Sequence, residues 1–364
     1  MFFASILRII SAMNKTIAAK IAEPPAFHLP QEAQHADALA RLLWRAHHYM
    51  RDNVRQALIE QSQDELTAVA AQAEVDTIYG IDTIAEHSLL EFLEQHQQEA
   101  PPFLLVGEFE TGEAIPFGAG APQFRVLCDP IDGTRLLMYA KASGWILSGI
   151  LPEKGNDSRL ADIVFSLQTE IPIPKYAYMD TLWAAAGSGA FRLRENVQTQ
   201  QSAIIRLHAD RSSDLRHSFI SFVKLFPRGK KWVSEIEEDF LRIALGEGAN
   251  EPASVFEDQH LATGGQIYAL ILGQSKLIVD IRPNFNQIWR SRTEPTVLCA
   301  HPYDLAGWLI AREAGVAIRN VEGEPFDGPT HATAEIGWIG FANEALARRY
   351  QENLLTVLRQ HGII

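Results

Sequence analysis

Apolar and polar positions alternate between helical and strand-like patterns along the whole chain. Residues 32–73 are predicted to be helical, because apolar side chains recur there at the spacing of one helix face. Thr83 and Glu86 have the spacing of a capping box and predict the start of a second helix, which Pro101 and Pro102 end. Short apolar runs typical of strands follow at 103–106, 124–128 and 145–151.

The second half of the chain repeats this mixture, beyond a polar stretch at 192–216 that is the best candidate for a boundary. The periodicity predicts strands at 218–223 and 276–281, and helices at 231–244, 267–272, 304–314 and 343–360. Because both halves mix strands and helices, the sequence predicts an α+β or α/β protein with at least one sheet in each half, and we take α+β as the expected class. The expected organisation is an N-terminal extension, an α+β sub-domain with the candidate site and a C-terminal α/β sub-domain, at 1–27, 28–200 and 201–364.

Composition and charge exclude several classes of protein. The 364 residues are enough for about two domains, and 32 basic against 45 acidic residues give a net charge of −13. Such a chain attracts neither nucleic acid nor an anionic membrane. Two cysteines, Cys128 and Cys299, exclude a disulfide scaffold and a four-cysteine zinc site, so a cytoplasmic location is expected.

The chain begins with a short apolar run that Arg8 interrupts. This run is too short to span a bilayer, and its charges are not ordered as in a signal peptide. We expect residues 1–27 to be an extension without its own fold, within which translation could begin at Met13.

The most informative segment is Cys128-Asp-Pro-Ile-Asp-Gly-Thr-Arg135. An apolar strand runs into Asp129 and Asp132, and Gly133 lets the chain turn sharply into a helix. Both carboxylates then lie on one side of the turn, while the amides of Gly133 and Thr134 point outward. Carboxylates suit Mg²⁺, and free amides at a helix start suit a phosphate. A surface turn is the structural alternative. Random composition, however, would produce the six residues 129–134 roughly once in 10^5 chains of this length.

Three further acids stand where the same arrangement needs them. Glu108 follows the apolar run 103–106, so it is again a carboxylate at a strand end. Asp82 lies at the start of one predicted helix and Asp304 at the start of another. The structural alternative for Glu108 is a solvated strand end, and for Asp82 and Asp304 it is a helix cap. A carboxylate that caps a helix can also bind a metal.

In this order, these motifs resemble those of the inositol monophosphatase superfamily, a group of Mg²⁺-dependent, lithium-sensitive phosphomonoesterases. The resemblance covers about residues 76 to 315. It implies the layered α-β-α-β-α sandwich of the sugar phosphatases. The segments that carry it, besides Asp82, are 107–108, 129–134, 185–191, 303–306 and 313–315.

The resemblance also implies a centre of two or three Mg²⁺ ions. Glu108, Asp129 and the carbonyl of Ile131 would hold the first ion. Asp129, Asp132 and Asp304 would hold the second, with Asp129 bridging the two.

For catalysis, the resemblance implies a water that the metal activates for attack on phosphorus. Asp82 and Thr134 would orient that water, and Glu108 would support the reaction as a ligand. The amides of Gly133 and Thr134 would bind phosphate oxygens, with Asp304 also facing the substrate.

The sequence departs from the family pattern at several positions. Phe109 stands where the family usually repeats a glutamate, and Tyr303 stands where it usually has tryptophan. Seven residues before Asp304 the inositol enzymes carry an acid that touches the sugar hydroxyls, but this chain has Val297. Extra residues near 226–231 and 257–260 lengthen the chain before Asp304. Metal chemistry is therefore expected to be intact, whereas inositol specificity is not.

Three functions agree with these observations. The first is a Mg²⁺-dependent phosphatase acting on a small polyol, sugar or inositol phosphomonoester, with a small phosphorylated substrate as its only required partner and a homodimer left open. The second is a 3'(2'),5'-bisphosphate nucleotidase or a sugar bisphosphatase, in which Lys224, Arg228, Lys230 and Lys231 would grip a second phosphate. The third is a catalytically silent protein that binds metal or a phosphorylated ligand.

Motifs of other enzyme classes are incomplete in the sequence. It lacks a full phosphate-binding loop, a dinucleotide fingerprint, a nucleophile elbow and a zinc-protease motif. His47 and His48 lie on a predicted helix without nearby acids, which predicts an exposed pair. Cys128 beside Asp129 predicts a packing role.

Overall fold

A computed structural model describes residues 23–72, 77–109 and 114–364 of the chain, so the predictions for residues 1–22 lie outside it. The strands are β1 (Val69–Gln72), β2 (Thr77–Tyr79), β3 (Phe103–Gly107), β4 (Ile115–Phe117), β5 (Phe124–Asp132), β6 (Gly144–Pro152), β7 (Phe165–Ile171), β8 (Tyr178–Ala185), β9 (Gly189–Asn196), β10 (Ser202–Arg206), β11 (Phe219–Phe222), β12 (Phe256–Glu257), β13 (Ser275–Asp280), β14 (Ala317–Arg319) and β15 (Trp338–Phe341).

The α-helices are α1 (Asp37–Glu60), α2 (Gln63–Leu66), α3 (Gly80–His96), α4 (Thr134–Met138), α5 (Lys230–Leu245), α6 (Thr263–Ile271), α7 (Arg282–Ser291), α8 (Trp308–Ala314) and α9 (Glu344–Gln360). None of these helices has both the length and the apolar character that crossing a bilayer requires, as far as the described residues go.

Two large sheets organise the molecule. The first has eight strands in the order β10-β9-β8-β7-β6-β5-β3-β4, and its neighbours are antiparallel except for the parallel pair β3 and β5. The second has five strands in the order β12-β11-β13-β15-β14. Alternate side chains of β5 enter two different cores, since Val126 packs under α1 and Leu127 packs toward the second sheet.

Helices cover both sheets on both faces. The helices α1 and α3 pack on the outer face of the first sheet, and α6 and α8 lie between the two sheets. The helices α5 and α9 cover the far face of the second sheet. The layers therefore follow the order α-β-α-β-α, which confirms the predicted fold class.

Several predicted element boundaries are wrong for identifiable reasons. The region 32–73 is helical only to Leu66 and then enters β1. Helix α3 begins at Gly80 rather than at Thr83, because the Asp82 carboxylate accepts a hydrogen bond from the Tyr79 amide at 2.9 Å and so caps an earlier turn. Helix α8 begins at Trp308, so Asp304 lies in the turns before the helix and not in its first turn.

The prediction that His47 and His48 are exposed is wrong, because α1 is covered on more than one side. Both imidazoles are fully buried between α1 and the first sheet. His47 lies 2.8 Å from the Ser148 hydroxyl and 3.1 Å from the Thr169 hydroxyl. Burial lowers the pKa of His47 from 6.5 to about 3, so the folded protein holds this side chain neutral.

We predict that His47 makes the protein sensitive to acid. The pKa of His47 is about 3 in the folded chain and 6.5 in the unfolded chain, so as the pH falls below 6.5 only the unfolded chain takes up this proton. Stability is then lost through that window, by up to about 1.4 kcal/mol per pH unit. His47→Gln keeps a donor and an acceptor and should flatten the fall of Tm between pH 7 and pH 4. The exposed His331→Gln is the control, and equal pH slopes in both variants would contradict the prediction.

Candidate metal and phosphate site

The segment 129–134 forms a bulged turn at the end of β5. Asp129 pairs with Leu147 and Asp132 pairs with Trp145, so β5 uses one residue more than β6 between these two pairs. The Asp129 carboxylate accepts a hydrogen bond from the Ile131 amide at 2.9 Å, which closes the turn. Gly133 then adopts a φ of 91°, a left-handed conformation that favours glycine, and α4 begins at Thr134.

Glu108 reaches the same end of the sheet through a close approach of β3 to β5. A Cβ atom on Gly107 would lie 1.8 Å from the Cys128 carbonyl oxygen, so only glycine allows this pairing. The parallel register places Gly107 beside Cys128 and therefore Glu108 beside Asp129. Glu108 is exposed, and Cys128 is buried in the packing role predicted for it.

Asp82 and Thr134 form a hydrogen-bonded pair at the edge of this turn. The Thr134 hydroxyl oxygen lies 2.6 Å from Asp82 Oδ1 and 3.0 Å from the Ile131 carbonyl oxygen. The other Asp82 oxygen caps α3, so one carboxylate serves both the helix and the site. Asp82 thus caps a helix and also lies in the candidate site.

Asp132 is held by the start of α6. Its two carboxylate oxygens accept hydrogen bonds from the amides of Thr263 and Gly264. A Cβ atom on Gly264 would lie 2.7 Å from a Leu147 methyl group, so the glycine lets α6 approach the sheet. The sequence motifs give no sign of these two donors, because a backbone amide has no side-chain signature in the sequence.

The turns before α8 carry Asp304 to the same point. Its carboxylate accepts a hydrogen bond from the His301 amide at 2.6 Å. Asp129, Asp132 and Asp304 each offer a carboxylate oxygen within 4.8 Å of the others. Asp129 and Asp132 are buried, and Asp304 is half-buried. Since Asp304 comes from the second half of the chain, both halves contribute to the cluster.

Burial and mutual repulsion raise the pKa values of these carboxylic acids. Burial raises the pKa of Asp129 well above its usual range, and Asp304 and Glu108 raise it further. Burial and Asp304 likewise raise the pKa of Asp132, against the opposing effect of its two amide donors. Burial also raises the pKa of Asp304. A divalent cation would relieve this repulsion, and an all-oxygen donor set fits Mg²⁺.

A buried ion pair beside the cluster was missed by the sequence analysis. The Arg282 guanidinium donates two hydrogen bonds to Asp280, at 2.9 and 2.6 Å, and a third to the Leu298 carbonyl at 2.9 Å. Its charge opposes the raised pKa values of Asp132 and Asp304. The sequence did carry a signal for this residue. Asp280 follows the apolar residues of strand β13, just as Asp129 follows the apolar residues of strand β5.

Glu257, Asp258 and Gln259 are the residues that could replace the missing sugar-binding acid; Asp258 is exposed, and the other two have partners. Glu257 pairs with Lys224 at 2.7 Å. The Gln259 amide bonds the backbone of Lys224 and of Phe222. The Asn286 side-chain amide donates a hydrogen bond to the Val297 carbonyl and accepts one from the Val297 backbone amide. The Val297 side chain is aliphatic. Partners are therefore already in place for Glu257, for Gln259 and for the Val297 backbone.

Comparison with known proteins places the fold. No protein-family model matches the chain, and no curated protein matches it in sequence. Solved structures do match it. Fructose-1,6-bisphosphatase of Leishmania major in its holo form is 14% identical with a TM-score of 0.65, covering 91% of this chain and 96% of that one.

Two smaller proteins are also similar. An extragenic suppressor protein of Bartonella henselae is 17% identical with a TM-score of 0.58, covering 87% of this chain and 98% of that one. A hypothetical protein of Pyrococcus horikoshii with similarities for inositol-1 monophosphatase is 17% identical with a TM-score of 0.56, over 88% and 98% of the two chains. The predicted resemblance to the inositol monophosphatase superfamily, which includes the fructose-1,6-bisphosphatases, is confirmed for the fold.

We predict that Mg²⁺ stabilises this protein and that Asp132→Asn removes most of the effect. A ligand present at 100 times its Kd stabilises the folded state by about 2.7 kcal/mol. Losing one anionic oxygen donor weakens the binding of a hard cation. Thermal unfolding with Mg²⁺ and with a chelator measures the effect, and Asp258→Asn, at an exposed acid, is the control. An equal Mg²⁺ shift in both variants would rule out Asp132 as a ligand.

Proposed function

We propose that the chain is a Mg²⁺-dependent phosphatase that hydrolyses a small phosphomonoester. The observation that carries this proposal is the buried cluster of Asp129, Asp132 and Asp304 beside the hydrogen-bonded pair of Asp82 and Thr134. In the proposed centre, Glu108, Asp129 and the Ile131 carbonyl hold one ion, and Asp129, Asp132 and Asp304 hold another. The fold supports the proposal, because the similar solved structures include a phosphatase.

The residues around the cluster have distinct proposed roles. Asp82 accepts a proton from the attacking water, and Thr134 fixes the orientation of the Asp82 carboxylate. The amides of Gly133 and Thr134 precede the first hydrogen bonds of α4 and can donate to phosphate oxygens, and Asp304 also faces the substrate in this proposal. When bound, Mg²⁺ would draw charge from the phosphoryl group and lower the pKa of water. The water oxygen forms a new bond to phosphorus as the ester P–O bond breaks, and the departing alkoxide takes a proton from solvent, so that inorganic phosphate and the alcohol are released.

The bisphosphatase alternative depends on the basic loop 224–231, where three of the four cations already face carboxylates. Lys224 pairs with Glu237 and with Glu257, and Arg228 pairs with Glu294. Lys231 is exposed on α5 and lies 3.8 Å from a carboxylate oxygen of Glu235. A second phosphate would have to displace these partners, so the geometry favours a substrate with one phosphate.

We predict that Asp82→Asn and Thr134→Val lower kcat by about 10²–10⁴-fold. Asp82→Asn removes the proton acceptor, and Thr134→Val removes the hydroxyl that orients it. The measurement is release of inorganic phosphate from a panel of phosphomonoesters at saturating Mg²⁺, with and without a chelator. Asp52→Asn is the matched control, because Asp52 lies on α1 and is not part of the proposed centre. Phosphate release that is unchanged by the chelator, or equal in Asp82→Asn and Asp52→Asn, would refute the proposed mechanism.

We also predict that inositol 1-phosphate is a mediocre substrate. Val297 cannot accept a hydrogen bond from a ring hydroxyl, and Glu257 and Gln259 are committed to other partners. Each hydroxyl that loses its partner costs about 1–3 kcal/mol. At least one other small phosphomonoester should therefore exceed inositol 1-phosphate in kcat/KM by tenfold or more, a difference of about 1.4 kcal/mol. If inositol 1-phosphate is the best substrate by a clear margin, the reasoning from Val297 is wrong.

A further inference from the structure

Strand β7 turns a polar face toward the layer between the two sheets. Its outer face adds apolar side chains to the core under α1, namely Phe165, Leu167 and Ile171. The inner positions alternate with these and are Ser166, Gln168 and Glu170. Ser166 and Gln168 are fully buried, although Leu147 and Leu182 flank Gln168 on the neighbouring strands. Because a buried polar group costs stability unless it is hydrogen-bonded, the partners of these three residues indicate their role.

Ser166 holds the turns that carry Asp304. Its hydroxyl donates a hydrogen bond to the Ala306 carbonyl at 2.5 Å. A Cβ atom on Gly149 of β6 would lie 3.1 Å from the same carbonyl oxygen, so a glycine there lets the turns approach the sheet closely. Since Ala306 follows Asp304 by two residues, this bond fixes the turns with their carboxylate against the sheet.

Gln168 holds the first turn of α6. Its side-chain Nε2 donates a hydrogen bond to the Gly264 carbonyl at 2.8 Å, and the Gly264 amide donates to Asp132. The other amide atom, Oε1, is buried and finds no hydrogen-bond partner in the part of the chain that the structure describes. It lies 2.9 Å from where a Cβ atom on Gly307 would stand, just before α8. An unpaired buried acceptor costs stability, so stability alone does not account for Gln168.

Glu170 supports the loop that follows α4. Its carboxylate accepts hydrogen bonds from the Ser143 hydroxyl at 2.6 Å and from the Asp180 amide at 2.9 Å. Ser143 ends the loop between α4 and β6, and its carbonyl oxygen would lie 3.8 Å from a Cβ atom on Gly133. The loop therefore rests against the turn whose amides are the proposed phosphate donors.

We propose that Ser166, Gln168 and Glu170 are positioning residues, and that β7 sets the spacing between the metal ligands and the phosphate-binding turn. The inference rests on the proposed function, since it assigns these residues to the same site. None of the three is a proposed ligand, and each holds a segment that contains or supports one part of the site. Inner side chains of a strand repeat every two residues, about 6.8 Å apart, so three of them hold three segments at fixed intervals.

The experiment measures the affinity of the full chain for Mg²⁺ alone by isothermal titration calorimetry. The temperature is kept well below every Tm, so that each variant is folded. Gln168→Met puts an apolar side chain of similar length in place of the amide and removes the bond to the Gly264 carbonyl. We expect the Kd for Mg²⁺ to rise about tenfold, as when a residue that supports a metal ligand is changed. Phosphate release at subsaturating Mg²⁺ should fall with it.

Thr169→Val is the matched control. Thr169 lies between Gln168 and Glu170 on β7, is fully buried, and places its hydroxyl 3.1 Å from His47 on the outer face. This variant also removes a buried polar group from β7 but leaves the inner face intact, so it should lower Tm without changing the Kd. If Gln168→Met does not fold, Ser166→Ala replaces it. Losing only the hydroxyl that holds the Ala306 carbonyl should raise the Kd at least threefold.

The outcomes separate this inference from the proposed function. If the unchanged chain binds Mg²⁺ and releases phosphate but Gln168→Met has the same Kd, whatever its Tm, the inference is wrong and the phosphatase stands. Equal rises in Kd in Gln168→Met and Thr169→Val also overturn it, because lost stability would then explain both. If the unchanged chain neither binds Mg²⁺ nor releases phosphate from any ester, the proposed function fails and the inference fails with it.

Discussion

Repulsion among the buried carboxylates of Asp129, Asp132 and Asp304 is the constraint on which this structure depends. Placing like charges within 4.8 Å of one another at the end of a sheet, away from water, is costly unless their charge is offset. The fold brings several offsets to one point. Thr263 and Gly264 donate amides to Asp132, the His301 amide donates to Asp304, and the buried guanidinium of Arg282 lies nearby. The remaining charge favours a divalent cation.

These offsets explain why the site needs both halves of the chain. The turn after β5 supplies two aspartates, but the third comes from the loop before α8, and the amide donors come from α6 between the sheets. Glycines make the approach close enough. Without a side chain at Gly107, Gly133 or Gly264, strand β3, the turn and helix α6 can approach at distances that a Cβ atom would prevent. The close packing of the two sheets and of α6 therefore determines the geometry of the site.

The sequence predicted which acids lie together better than it predicted the helix boundaries. The motif 129–134 sits in a local turn, so its geometry follows from adjacent residues, and the acids Glu108, Asp82 and Asp304 came from the same strand-end and helix-start rule. Asp280 obeys that rule too, but its pairing with Arg282 depends on tertiary packing. His47 and His48 were predicted to be exposed because periodicity describes one helix face, whereas α1 is packed on more than one.

The segment after β13 decides what distinguishes this chain from the small inositol enzymes. It forms α7 and a loop that carries Val297, seven positions before Asp304, and it contains Arg282, Phe285 and Trp289. Arg282 neutralises Asp280, the acid that ends β13, so that carboxylate cannot serve as a free acceptor for a sugar hydroxyl. The rings of Phe285 and Trp289 on the same segment stack with their centroids 5.5 Å apart. This one segment thus carries Val297 where the inositol enzymes have an acid, balances a buried charge and adds a stacked aromatic pair, while the carboxylate cluster stays intact.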